Sequence, residues 1–210
     1  MSRVGDDPPR DRDRDPDREP KPVRLFVAVD APEAVAAELL DRVRPMRDAV
    51  RGARWTRPDG WHVTLKFLGW THPEVLGGLE AALGSVAPAI EPFVTRLTRL
   101  GAFPAPSRAR VLWAGLDDPG GRFARTVGRL DEALAGWVER ERRAFEPHLT
   151  LARIDPPGAL GRDVLGLDVA SEPFAVDRLV LYRSHLSPKG ATYEAVSVMP
   201  LGRDPGAPDA

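Results

Sequence analysis

A chain of 210 residues has room for one domain, or for two small lobes on a shared core, and its 42% hydrophobic and 29% charged residues are those of an ordinary globular protein. It contains no cysteine, which excludes disulfides, thiol nucleophiles and thiolate metal sites. Thirty basic residues against 31 acidic leave a formal net charge of −1, which argues against a surface that coats duplex nucleic acid; any RNA partner has to be gripped locally, at an end or a single phosphate.

Residues 1–22 read as a disordered, charged tail. Acid and arginine alternate over 11–18, prolines punctuate the segment, and too little apolar surface is present to offset chain entropy. Its basic and acidic residues nearly cancel, so a solubilising tail is favoured over an RNA-binding arm. No secretory h-region and no apolar run near the roughly 20 residues of a membrane span is present; a cytoplasmic location away from membranes is the expectation. Residues 203–210 read as a second flexible tail, leaving 23–202 as one two-lobed domain, with nothing to suggest more than a monomer.

Residues 24–29 (Arg-Leu-Phe-Val-Ala-Val) form the first predicted strand. Pro32 then opens a helix rich in Ala, Glu, Leu and Arg that runs to about Val50. Residues 61–68 alternate as a strand that stops at Gly69, and a helix follows from Pro73 to about Leu83, with Thr71 placed to cap it. Strand-like runs at 93–100 and 109–115 precede a third helix from Arg122 to about Arg140. Strand character returns at 145–154, 174–182 and 193–199. Several strands follow one another directly, which favours an α+β fold with antiparallel sheets over a doubly wound parallel one.

Two of these strands carry the same tetrapeptide pattern: His62-Val63-Thr64-Leu65 and His148-Leu149-Thr150-Leu151. Half of the chain's four histidines sit in it. Along a strand, residues i and i+2 share a face, so His62 projects with Thr64 and His148 with Thr150, while Val63, Leu65, Leu149 and Leu151 turn to the interior. Imidazole titrates near neutrality, so one ring can be charged while the other is neutral. If the two strands face each other across a cleft, the neutral ring takes a proton from water and the charged ring delivers one to a departing oxygen on the far side of phosphorus, as an in-line displacement requires. The threonine hydroxyls can donate to the non-bridging oxygens. Lys66 is in phase with His62 and Thr64 and joins the candidate substrate contacts. Arg153 is a second candidate cation, but it is out of phase with His148 and needs a bend to reach the same side.

A histidine pair also binds zinc, yet neither motif contains a carboxylate, and metal is the weaker reading. His72, before Pro73, and His185, on a turn, read as surface residues. Trp55 and Trp61 flank the first motif as candidates for stacking on a base, although Trp61 is out of phase with His62 and should face the core. Trp113, in an apolar run, reads as core.

Taken with these motifs, the segments Arg24-Leu25-Phe26-Val27-Ala28-Val29-Asp30, residues 55–69, residues 100–104, Arg110-Val111-Leu112-Trp113-Ala114-Gly115, residues 147–153 and Leu181-Tyr182-Arg183-Ser184 resemble the RNA 2′,3′-cyclic phosphodiesterases, or 2′-5′ RNA ligases, of the two-histidine phosphoesterase superfamily. The likeness spans about residues 23–202. It implies a bilobal, pseudo-two-fold α+β fold with antiparallel sheets lining a central cleft and helices outside. It implies opening of RNA cyclic phosphate ends to 2′-phosphomonoesters without cofactor or metal, and joining of RNA ends through a 2′-5′ bond in reverse. By motif position, His62 would be the proton donor and His148 the acceptor, with Thr64, Thr150 and Arg153 on the phosphate. Two other readings stand beside this one: an enzyme of the superfamily acting on another cyclic phosphate, such as a nucleotide-sugar derivative, and a non-catalytic binder of RNA ends.

Overall fold

The structure, a computed structural model, describes residues 20–187 and 190–202. The tails expected over 1–22 and 203–210 fall outside it, apart from residues 20–22, which have no regular secondary structure. In chain order the elements are β1 (Val23–Asp30), α1 (Glu33–Val43), β2 (Ala53–Trp55), β3 (His62–Thr71), α2 (Leu76–Val86), β4 (Phe93–Thr95), β5 (Leu97–Phe103), β6 (Ala109–Leu116), α3 (Arg122–Ala133), β7 (His148–Gly158), α4 (Arg162–Leu165), β8 (Phe174–Val176), β9 (Arg178–Ser187) and β10 (Gly190–Pro200). One eight-stranded sheet has the order β10-β9-β1-β3-β7-β6-β5, with β2 set beside β7; β4 and β8 form a separate pair. All recorded pairings are antiparallel. This is the mixed α/β architecture with antiparallel sheets that the element pattern predicts. No helix among the described residues is long and apolar enough to cross a membrane.

Element ends differ from the sequence reading for local reasons. The first helix stops at Val43 and tightens into a 3-10 segment, Arg44–Ala49, because Pro45 has no amide hydrogen to give the helix. The first motif strand does not stop at Gly69 but runs on to Thr71. Gly69 adopts φ 75°, and the ladder slips there by one residue, so the glycine forms a bulge instead of an end. Thr71 therefore caps nothing; its hydroxyl donates to the Gly69 carbonyl at 3.4 Å, and a 3-10 turn, Pro73–Val75, leads into α2. The third helix ends at Ala133, well before Arg140.

The sheet is two matched halves. In one, Asp30, Val29, Ala28 and Val27 of β1 oppose His62, Val63, Thr64 and Lys66 of β3. In the other, Gly115, Ala114, Trp113 and Leu112 of β6 oppose His148, Leu149, Thr150 and Ala152 of β7. Each ladder skips the leucine after the threonine, Leu65 or Leu151, as a bulge. The halves meet at the ladder pair Val63–Leu149. On one face, Leu25, Val27, Val29, Val63, Leu65, Leu112, Ala114, Leu149 and Leu151 pack with Val35 and Leu39 of α1, Leu79 and Leu83 of α2, and Phe123 and Leu130 of α3 in a single apolar cluster. Burying each such side chain contributes about 1.5–3 kcal/mol, and this cluster fixes which face is left for the motif residues.

Candidate active site

That free face carries both motifs. Extending the Val63–Leu149 register by one residue each way sets His62 across from Thr150 and His148 across from Thr64. The two histidines and two threonines thus come from neighbouring strands and share a surface. Burial above all, and to a lesser extent the charge of His148, lower the proton affinity of His62.

Each ring is held the same way. His62 Nδ1 lies 2.7 Å from the Gly60 carbonyl and His148 Nδ1 lies 2.7 Å from the Glu146 carbonyl. A carbonyl only accepts, so Nδ1 carries hydrogen in both rings and Nε2 is left as the proton-exchanging atom. Aromatic walls fix the ring planes: His62 stacks on Phe26 at 4.8 Å and meets the edge of Tyr193 at 4.9 Å, while His148 meets Phe103 at 5.0 Å and Trp113 at 6.0 Å. Burial lowers the pKa of each imidazole, opposed by the bond to the carbonyl. Asp30, across the ladder from His62, also favours its cation, and Glu146 does the same for His148, whose partner across the ladder is Gly115. Asp30 accepts a hydrogen bond from Tyr182 at 2.8 Å, and together with burial this pushes the phenol well above its ordinary pKa.

A single hydroxyl ties the two motifs together. Thr56, just after β2, donates to the carbonyls of Thr150 and Leu151 at 2.7 and 2.8 Å and accepts from Trp61 Nε1 at 2.7 Å. Trp61 is buried and precedes His62, as its phase predicts. Trp55 packs at the margin of the apolar cluster, under the Arg47 guanidinium.

Lys66 requires a correction. The bulge at Leu65 turns the lysine away from His62 and Thr64, into the protein, where it is 5% exposed. Its ammonium donates to Asp131 of α3 at 2.5 Å and to the Glu139 carbonyl at 2.7 Å. It lies off the motif face, held by Asp131 and Glu139, and does not join the substrate contacts. The matching bulge at Leu151 has the opposite consequence in β7: it brings Arg153, out of phase by simple counting, onto the face of His148 and Thr150. Trp113 is buried, in line with its reading as core, but its place on the sheet is not the expected one. It opposes Thr150 and so lies on the motif face, outside the main cluster. Its indole lies over Gly101, where any Cβ would overlap the ring, and its Nε1–H is buried without a hydrogen-bond partner. His72 is exposed, and His185 pairs at 2.7 Å with Glu194.

Similarity to known proteins agrees with this geometry. The family model described as LigT like phosphoesterase matches residues 29–113. An RNA 2′,3′-cyclic phosphodiesterase of Archaeoglobus fulgidus is 31% identical over 84% of this chain and 99% of its own length. Its counterpart from Thermus thermophilus is 35% identical over 88% of this chain and 93% of its own.

The chain belongs to the LigT-like phosphoesterase family.

Among solved structures, a Thermus thermophilus protein superposes with a TM-score of 0.68 at 31% identity, covering 85% of this chain and 97% of that one. E. coli LigT complexed with 3′-AMP gives 0.68 at 24% identity, over 86% and 99%, which speaks to the fold. In this LigT-like phosphoesterase one cation of the motif face escaped the sequence reading. Arg54 of β2 pairs in register with Arg153, both are exposed, and neither has a carboxylate partner among the described residues. Like charges directly opposed on a ladder repel, so the pair suits an anion. Nothing in the sequence marks Arg54, because β2 is only three residues long and its partner strand lies far along the chain.

Proposed function

We propose that this phosphoesterase opens 2′,3′-cyclic phosphate ends of RNA to 2′-phosphomonoesters by general acid–base catalysis between His62 and His148. Neutral His148 Nε2 removes a proton from water as its oxygen bonds to phosphorus. The P–O3′ bond breaks, and protonated His62 Nε2 delivers its proton to O3′, leaving a 3′-hydroxyl and a 2′-phosphate. That division of roles is the one the family resemblance implies by motif position, and Asp30, across the ladder from His62, favours the cation the proton donor needs. Thr64 and Thr150 donate to the non-bridging oxygens, and Arg153 with Arg54 balances the charge that grows on them. With a 5′-hydroxyl in place of water, the same steps form a 2′-5′ linkage, and their reversal cleaves it back to the cyclic phosphate. Imidazole, hydroxyl and guanidinium groups suffice for these steps, so the reaction takes no metal, and the cysteine-free chain fits a cytoplasmic monomer.

The observation that carries this reading is the identical anchoring of the two imidazoles, each by Nδ1 to a carbonyl two residues back, with Nε2 left for chemistry. The test is hydrolysis of an oligoribonucleotide 2′,3′-cyclic phosphate in EDTA, followed by phosphorus NMR. A 2′-phosphate product, and a loss in kcat of about 10²–10⁴ or more in H62A and H148A, is expected. A 3′-phosphate product, or variants as active as the parent, would falsify it.

A further inference from the structure

The two motif strands match residue for residue until they diverge beyond the bulge. Where β7 has Arg153, β3 has Phe67, and three residues further on it has Trp70. These rings are unusually open for their type, 58% exposed for Phe67 and 67% for Trp70. Ladder partners place both on the motif face: Phe67 opposes Phe26, which stacks on His62, and Trp70 opposes Arg24. The Gly69 bulge is responsible, because in an unbulged strand two positions three apart project to opposite sides. Two ladder steps separate them, about 7 Å along the sheet, which is of the order of the spacing between consecutive nucleotides of an extended strand. The Arg24 guanidinium lies 5.9 Å from the Phe67 ring centre.

From these observations we infer that the β3 arm is a stacking platform for single-stranded RNA, holding the nucleotides 5′ to the cyclic end with their bases on Phe67 and Trp70 and a phosphate on Arg24. The inference rests on the function proposed above and extends it from the terminal phosphate to the chain behind it. Three features select RNA as the occupant: the platform is continuous with the His62 side of the cleft through Phe26, its cation is interleaved with open aromatic faces, and every base presents a face to stack on. It also gives the cleft a direction, with nucleosides along β3 and phosphate charge toward Arg153 and Arg54.

Two measurements on the full chain test it. In kinetics, the preference in kcat/KM for a hexanucleotide cyclic phosphate over a mononucleotide cyclic phosphate should fall roughly five- to a hundredfold in W70A and be restored in W70F. In fluorescence anisotropy, a labelled hexanucleotide ending in a 2′-phosphate should bind W70A more weakly by a similar factor. Unchanged preference and affinity in W70A would overturn the platform. So would a parent dimer, seen by sedimentation, that W70A dissociates, because the face would then belong to a second copy. A parent protein that opens neither substrate refutes the proposed function instead, and the anisotropy comparison still decides whether RNA lies on β3.

Discussion

Asp30 and Gly115 occupy matched ladder positions, one beside each imidazole. Both histidines are pushed below their ordinary pKa by burial, and each has a carboxylate that favours its cation, Asp30 for His62 and Glu146 for His148. With both groups lowered from about 6.5, the singly protonated pair that the proposed mechanism needs is most populated at a pH below that value. The pH profile of kcat/KM is therefore expected to be a bell centred on the acid side of 6.5. The acid limb reports the base, which must be neutral, and the alkaline limb reports the acid, which must keep its proton. In D30N the carboxylate that favours the His62 cation is gone, so the alkaline limb should move to lower pH while the acid limb holds. An alkaline limb that stays put in D30N would remove Asp30 from the division of roles.

At the level of the strand, the bulges at Leu65 and Leu151 decide which counted positions point where. Period-two alternation reads His62 with Thr64 and His148 with Thr150 without difficulty, since all four lie before the slip. Beyond it the count inverts: Lys66, in phase on paper, is buried against Asp131, while Arg153, out of phase on paper, comes to the motif face. A single inserted residue leaves no mark in hydrophobicity, because Leu65-Lys66 and Leu151-Ala152 differ in polarity although both pairs are buried. The same holds for the Gly69 bulge, since a glycine after an alternating run reads as an end as readily as a slip. Strands, helices, the antiparallel class and the burial of Trp113 are legible; Arg54 and the place of Trp113 on the motif face are not, because they depend on cross-strand neighbours distant in sequence. If Lys66 is a structural cation, D131A should destabilise the protein by about 3–5 kcal/mol, the effect of stranding a buried charge, and K66M/D131L should recover most of it. Guanidinium unfolding measures both. Stability indifferent to D131A, with kcat/KM collapsing in K66M/D131L, would return Lys66 to the substrate.

Across the whole molecule, charge is nearly balanced at −1, so attraction for RNA has to come from a few side chains around the cleft. Arg54 and Arg153 stand unpaired at one end of it among the described residues. Binding of a single strand is then expected to weaken only gently with salt, with a log–log slope near −0.7 for each phosphate neutralised, and R54A should make the slope shallower by about 0.7. A titration of oligonucleotide affinity against potassium chloride reads this directly; an R54A slope equal to the parent's would mean that Arg54 meets no phosphate. The paired halves of the sheet carry one more implication. Two identical copies of one half, related by a true dyad, would also bring two imidazoles and two threonines together, yet any residue placed near one ring would recur near the other. Covalent fusion lifts that constraint. Aspartate can neighbour one histidine and glycine the other, and phenylalanine can stand where its counterpart is arginine, so that a twofold scaffold serves a substrate with two dissimilar ends.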